Sequence, residues 1–81
     1  MNKEQFFEGI ASALGVDGSL VTFESSQDDF EEWDSLGHLS ILQLLDEKTD
    51  GGLDRVSGVA SMTTVLEIWN AMVTAGICIE D

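Results

Sequence analysis

Three segments of the chain carry apolar residues at the three- and four-residue spacing of an amphipathic helix. Each segment is followed by a glycine, which adopts a left-handed backbone conformation at little cost and is common just after a helix. These glycines are Gly15, Gly51 and Gly76. No stretch alternates apolar and polar residues over the length of a convincing strand, and Ile77–Ile79 is too short to decide. The pattern therefore predicts an all-α fold.

Capping signals predict where the helices begin. Asn2 followed by Gln5 is typical of a capping box and predicts a first helix over residues 3–14. The second helix is predicted to start at Asp34 or Ser35 and to end near residue 48 or 49. Further along, the last helix follows a second capping-box pair, Thr64 and Glu67. Between these two helices the segment "LDRVSGVASM" predicts one or two helical turns, and the architecture is a small bundle of three main helices with a short additional one.

The connection over residues 15–34 has no clean period. We expect it to lie packed across the core, with a short helical turn near residues 27–32, because it contains five apolar anchors: Leu20, Val21, Phe23, Phe30 and Trp33. Six acids and no base lie between Glu24 and Asp34. This acidic run is either a solvated loop or a docking surface for basic partners.

The composition limits the classes of function. A chain of 81 residues with 43% hydrophobic residues predicts one compact domain over residues 1–81, expected to be a monomer. The formal charge of −13 makes binding to nucleic acid or to an anionic membrane unfavourable and predicts partners with basic patches. The chain has little room for an enzymatic cleft, so we predict that it is not an enzyme.

Cysteine usage and targeting signals bear on the compartment. The single Cys78 excludes an internal disulfide and a cysteine-based zinc site, and a free thiol fits a reducing compartment. No signal-peptide run and no apolar stretch of membrane-spanning length is present, so we predict a cytoplasmic protein. The run "DEKTDGG" resembles the start of a calcium loop, but Lys48 stands where an oxygen ligand is required. No metal site is predicted.

The second helix has two contrasting faces. Ile41, Leu42 and Leu45, with His38 between them, form a core stripe. The opposite face combines two leucines near Ser35 with polar and acidic residues further along, and it is a candidate partner-binding surface: Leu36, Leu39, Ser40, Gln43, Asp46 and Glu47. The alternative is that the acidic connection covers both leucines.

Ser35 has two possible roles. It can be the N-cap of the second helix, or it can carry a phosphate-linked group that the helix N-terminus stabilises. From the residues alone the cap is the more favoured role. A catalytic triad of Asp34, Ser35 and His38 is disfavoured, because His38 belongs to the core sector and no nucleophile-elbow sequence is present. His38 is more simply a half-buried histidine with a hydrogen-bond partner.

The segment "EWDSLGHLSILQLLDE" resembles the Asp-Ser-Leu helix start of the acyl carrier protein family, and "MTTVLEIWNAM" resembles that family's threonine-capped last helix. The resemblance covers nearly the whole chain. It implies a four-helix bundle with a short third helix, and a 4′-phosphopantetheine arm attached to Ser35 by a separate transferase that uses coenzyme A. The resemblance also implies that Asp34 helps to engage the transferase, with the transferase's magnesium as one route. The arm would carry acyl or aminoacyl groups as thioesters between a loading ligase and downstream acyltransferase or synthase enzymes of fatty-acid, polyketide or specialised biosynthesis.

Two departures from the family pattern bear on the partners. Ser40 stands where many members have a glutamate, and Thr49 stands where an apolar residue is usual. These departures favour a specialised carrier over a housekeeping fatty-acid carrier. The alternatives are an aminoacyl or peptidyl carrier of a nonribosomal peptide pathway, and an unmodified acidic adaptor that binds basic partners directly.

Overall fold

In the computed structural model, residues 2–56 and 58–77 are described, without the side chains of residues 54 and 55. This part of the chain forms three α-helices: α1 (Lys3–Leu14), α2 (Ser35–Lys48) and α3 (Val65–Thr74). It contains no strand, only one isolated antiparallel bridge between Ser26 and Thr64. The all-α prediction is confirmed, whereas the predictions about Cys78 and Ile79 lie outside the described residues.

Helix α1 begins and ends as its capping residues predict. The Asn2 side chain accepts the Gln5 backbone N–H at 2.9 Å, and the Gln5 side chain accepts the Asn2 backbone N–H at 3.0 Å. Two of the N–H groups that a helix start leaves unpaired are thereby satisfied. Gly15 has a φ of 74°, and its N–H bonds back to the last turn. The predicted bounds of α1 are confirmed.

Helices α2 and α3 also follow their predicted caps. Asp34 caps α2, which ends at Lys48. At α3 the Thr64 hydroxyl accepts the Glu67 N–H at 3.1 Å. Only the first half of a capping box forms there, because the Glu67 carboxylate accepts from the Thr64 hydroxyl at 2.9 Å. Gly76 follows with a φ of 77°.

Two 3₁₀ turns replace a single short third helix between α2 and α3. They span Gly52–Arg55 and Val59–Ser61. Between them Val56 is extended and Gly58 is left-handed, with a φ of 76°. A continuous helix cannot contain these two conformations, so the helical turns remain separate.

The core forms where the three helices and the connection meet. Its members are almost fully buried, and they include Phe6, Ile10, Val21, Trp33, Ile41, Leu45, Ile68, Trp69 and Met72. The Phe6 and Trp69 rings pack at a centroid distance of 5.0 Å, which joins α1 to α3. Burying each large apolar side chain contributes about 1.5–3 kcal/mol relative to its exposed state.

The α1–α2 connection is packed as expected except at Leu20. Val21 and Trp33 are buried, and Phe23 and Phe30 are half-buried. Leu20, however, is 58% exposed, so its predicted role as a core anchor was wrong. It ends a 3₁₀ turn, Gly18–Leu20, that turns the side chain outward.

Asp17 fixes that turn, and its own pKa is perturbed by the same contacts. Its carboxylate accepts the backbone N–H and the hydroxyl of Ser19, both at 3.0 Å. Both hydrogen bonds stabilise the ionised carboxylate and lower the pKa of Asp17 from its usual value. The bond from the Ser19 backbone N–H has the larger effect, and the bond from the Ser19 hydroxyl adds to it.

The expected turn near residues 27–32 is a 3₁₀ turn over Gln27–Asp29.

Across the described residues, none of the helices combines the length and apolar character that crossing a bilayer requires.

Candidate functional site

Asp34 and Ser35 have different roles at the start of α2. Asp34 is extended, and its carboxylate accepts the Gly37 N–H at 2.8 Å. Ser35 is the first helical residue and is exposed. No hydrogen bond within residues 2–56 and 58–77 uses its hydroxyl. The cap is therefore Asp34, so the cap role that the residues alone favoured for Ser35 was wrong. The Ser35 hydroxyl is accessible and not engaged by the described part of the protein.

The same helix end keeps two backbone donors open. The His38 N–H bonds to the Asp34 carbonyl at 2.8 Å, and the Gly37 N–H bonds to the Asp34 carboxylate. The N–H groups of Ser35 and Leu36 have no acceptor in the described part of the chain. Open N–H groups at a helix N-terminus favour a nearby anion, by about 0.3–1 kcal/mol at an exposed position.

Gly37 is a site residue that the sequence analysis missed. It is buried, and a Cβ built there would overlap the backbone carbonyl oxygen of Glu32 and crowd Leu14. The absence of a side chain at Gly37 lets the Glu32 carbonyl, at the end of the connection, approach the first turn of α2 closely. A glycine inside a helix is unfavourable by about 1 kcal/mol relative to alanine. That unfavourable placement was the sequence signal that could have revealed a close backbone approach.

His38 connects three parts of the structure. Its Nδ1 accepts the Trp33 indole N–H at 2.9 Å, and its Nε2 lies 3.1 Å from the Val59 carbonyl oxygen. Because the indole N–H can only donate and a carbonyl oxygen can only accept, the two contacts match the tautomer that carries its hydrogen on Nε2. The prediction of a half-buried histidine with a hydrogen-bond partner is confirmed. Both ring nitrogens are engaged, so neither is free to take a proton from Ser35.

A groove of about 360 Å³ lies beside Ser35. One wall comes from α2 and the α1–α2 connection. The other wall comes from the 3₁₀ turn Val59–Ser61 and the two residues after it. The lining residues are Gln27, Ser35, His38, Ala60, Ser61, Met62 and Thr63. The arrangement places an accessible hydroxyl at the edge of a mixed polar and apolar groove.

The outer face of α2 presents most of the predicted partner-binding residues to solvent. Leu36 and Leu39 are 74% and 52% exposed, so the acidic connection does not cover them. Gln43 and Glu47 are also exposed, whereas Ser40 is half-buried. Two large apolar side chains therefore stand beside Ser35 on the open side of the helix.

Asp46 is less available than the sequence suggests. The residue is half-buried, and its Oδ1 is buried with no hydrogen-bond partner among the groups that the structure describes. Asp46 lines a shallow hollow of about 280 Å³ together with Leu42, Gln43, Leu53 and Val59. Of the two predicted acids at this end of α2, Glu47 is the one that projects freely into solvent.

Within residues 2–56 and 58–77, no three His, Cys, Asp or Glu side chains are grouped so that they could hold a metal ion. Comparison of the chain with protein-family models, with curated proteins and with solved structures finds no match.

Proposed function

We propose that the protein is an acyl carrier protein whose 4′-phosphopantetheine arm is attached to Ser35. The observation that carries the proposal is the exposed, unengaged Ser35 hydroxyl at the first position of α2, with Asp34 serving as the cap. A serine that capped the helix would lose that contact on modification. Here the cap and the acceptor hydroxyl belong to different residues, so modification leaves the capping bond intact.

The residues around Ser35 fit a phosphodiester-linked arm. The open N–H groups of Ser35 and Leu36 favour the negative charge of a phosphodiester. The Asp34 carboxylate opposes that charge, and its bond to the Gly37 N–H partly offsets the repulsion. In the attachment reaction, Ser35 Oγ forms a bond to the pantetheine-bearing phosphorus of coenzyme A while the phosphoanhydride bond breaks. Adenosine bisphosphate leaves with the electron pair, and the hydroxyl proton passes to the transferase. When attached, the arm supplies a thiol that holds an acyl or aminoacyl group as a thioester.

The outer face of α2 supports recognition by partner enzymes. Leu36 and Leu39 offer apolar area next to the attachment point, and Glu47 offers a free negative charge. A basic patch on the phosphopantetheinyl transferase, on the loading ligase or on a downstream acyltransferase or synthase would complement this face. The chain itself then only presents its cargo, and the catalysis belongs to the partners.

The element order supports an acyl carrier protein-like four-helix arrangement. In that arrangement the 3₁₀ turns at Gly52–Arg55 and Val59–Ser61 occupy the place of the short third helix. The unusual Thr49 has a local explanation, since its hydroxyl donates to the Leu45 carbonyl at 2.7 Å and needs no polar partner elsewhere. Together with Ser40 in place of a glutamate, it favours a specialised carrier, which we propose to be cytoplasmic.

Mass spectrometry after co-expression with a broad-specificity phosphopantetheinyl transferase tests the proposal. We expect the wild-type chain to gain the mass of one arm and the Ser35→Ala variant to gain none. Ser61→Ala is the matched control, because Ser61 lines the same groove. It should be modified like the wild type. Absence of the added mass in the wild type, or its presence in Ser35→Ala, would contradict the proposal.

A second candidate function is an unmodified acidic adaptor. The exposed Leu36 and Leu39 beside acidic residues form a docking face that is complete without an arm. This candidate predicts that Ser35→Ala keeps full biological activity, whereas charge reversal at Glu47 impairs it. Loss of activity in Ser35→Ala, with the helical circular dichroism spectrum unchanged, would favour the carrier.

A further inference from the structure

A second groove lies on the α1–α2 connection and shares no lining residue with the groove beside Ser35. Its volume is about 580 Å³. Three apolar side chains line it: Val16 and Phe30 are half-buried, and Leu20 is 58% exposed. Leu20 is among the most exposed large apolar residues of the described chain, and it lines this shallow, open groove. A groove of this kind can receive an apolar side chain from another molecule.

Acidic side chains surround these apolar residues. Glu24, Asp29 and Glu32 line the same groove and are exposed. No base lies between Glu24 and Asp34, and the chain has only three basic residues against sixteen acids. The field at the groove is therefore strongly negative, and it complements a basic partner while repelling a second copy of the chain.

The walls of the groove are held in place before any partner binds. The Ser25 hydroxyl is buried in the connection, where it accepts the Thr22 N–H at 3.0 Å and donates to the Leu20 carbonyl at 3.4 Å. The Ser25 carbonyl in turn accepts the Val65 N–H at 3.0 Å, which ties the connection to the start of α3. A groove with fixed walls loses little conformational entropy on binding.

We propose that this groove binds a basic segment of a partner protein, which inserts one apolar side chain against Leu20 and Phe30. Lysine or arginine residues on either side of that apolar residue face Glu24, Asp29 and Glu32. The inference goes beyond the carrier function, since it uses neither Ser35 nor the exposed leucines of α2. It gives the chain a second contact surface on a different element.

The test is a nuclear magnetic resonance titration of the ¹⁵N-labelled protein with a capped Lys-Lys-Leu-Lys-Lys peptide. We expect saturable shifts in the backbone amides of residues 16–32, with little change in residues 39–47. The peptides Lys-Lys-Ser-Lys-Lys and Glu-Glu-Leu-Glu-Glu are the controls, lacking the apolar anchor and the positive charge respectively. The first should bind roughly fivefold more weakly, as expected for a lost apolar contact, and the second should not bind.

Variants of the protein distinguish this groove from other surfaces. Leu20→Ser should weaken the leucine peptide by a similar factor of about five, whereas Leu66→Ser, which changes an exposed leucine on α3, should have no effect. Glu24→Gln should weaken binding and reduce its salt dependence. Ser35→Ala should bind the leucine peptide like the wild type. A negative result in this titration would therefore leave the carrier proposal standing, and an unmodified Ser35 would leave the groove proposal standing.

Three results would overturn the proposal. The first is equal binding of the leucine and serine peptides, which would indicate charge attraction without an anchor. The second is shifts confined to α2, which would place the contact on the other face. The third is concentration-dependent shifts of residues 16–32 without peptide, which would show that a second copy of the chain covers the groove.

Discussion

At the scale of single residues, Asp34 and Ser35 show what the sequence can and cannot decide. Both residue types are good N-caps, and they are adjacent, so no sequence rule chooses between them. The choice depends on which residue is extended and which carboxylate or hydroxyl reaches the third N–H of the helix. In the structure that residue is Asp34, whose carboxylate accepts the Gly37 N–H.

Substitution of Asp34 should therefore reduce stability, whereas substitution of Ser35 should not. We expect Asp34→Ala to lower the free energy of unfolding by about 0.5–2 kcal/mol, the usual effect of losing a cap. Ser35→Ala removes no hydrogen bond of the described structure and should change it by less than about 0.5 kcal/mol. Urea unfolding of both variants measures the difference. A larger loss of stability for Ser35→Ala than for Asp34→Ala would show that Asp34 is not the cap.

Gly37 should tolerate substitution poorly. Gly37→Ala places a methyl group against the Glu32 carbonyl oxygen, and the resulting displacement should lower the free energy of unfolding by about 1–3 kcal/mol. Gly9→Ala in α1 is the matched control, because its Cβ would meet the side chains of Leu44 and Lys48 at ordinary contact distances. That variant should be neutral or more stable by up to about 1 kcal/mol. Equal behaviour of the two variants would contradict the close approach at Gly37.

At the scale of elements, the predicted helix bounds were accurate where caps and period agreed. Asn2, Gln5 and Gly15 fix α1 through local bonds that sequence spacing encodes directly. The α1–α2 connection was harder, because its course depends on tertiary bonds such as the Ser26–Thr64 bridge. Leu20 was assigned to the core for its hydrophobicity alone, and the turn capped by Asp17 directs it outward.

The bond between Trp33 and His38 should couple the connection to α2. We expect His38→Ala to lower the free energy of unfolding by about 1–3 kcal/mol, because it leaves a buried indole N–H without an acceptor. Trp33→Phe removes the donor, so the double variant should cost less than the sum of the single variants. A double-mutant cycle by chemical unfolding measures this coupling. Strict additivity would mean that the bond does not contribute.

At the scale of the whole molecule, hydrophobic periodicity was sufficient to predict an all-α fold with three helices. It was not sufficient for the region after α2, where Gly58 and an extended Val56 divide the segment into two turns. Nor could it predict the two grooves, because each is lined by residues that are distant in sequence or lie in an irregular loop. The net charge of −13 is the whole-chain property from which the sequence alone predicts the charge of the partners and the effect of salt on stability.

Salt should stabilise the folded protein. Sixteen acids against three bases repel one another in the compact state, and dissolved ions screen that repulsion. We expect the thermal unfolding midpoint to rise as sodium chloride increases from about 20 mM to about 300 mM, where the screening length falls well below 10 Å. Calorimetry at both concentrations measures the change. A lower midpoint at high salt would show that attractive charge pairs outweigh the repulsion.

Site-resolved mass spectrometry tests whether Ser35 carries the proposed arm. The protein co-expressed with a phosphopantetheinyl transferase is digested, and the peptide containing Asp34, Ser35 and Leu36 is fragmented. We expect one phosphopantetheine group, localised to Ser35 and absent from every other serine. An unmodified Ser35 peptide in protein from an active transferase strain, or an arm localised to another residue, would contradict it.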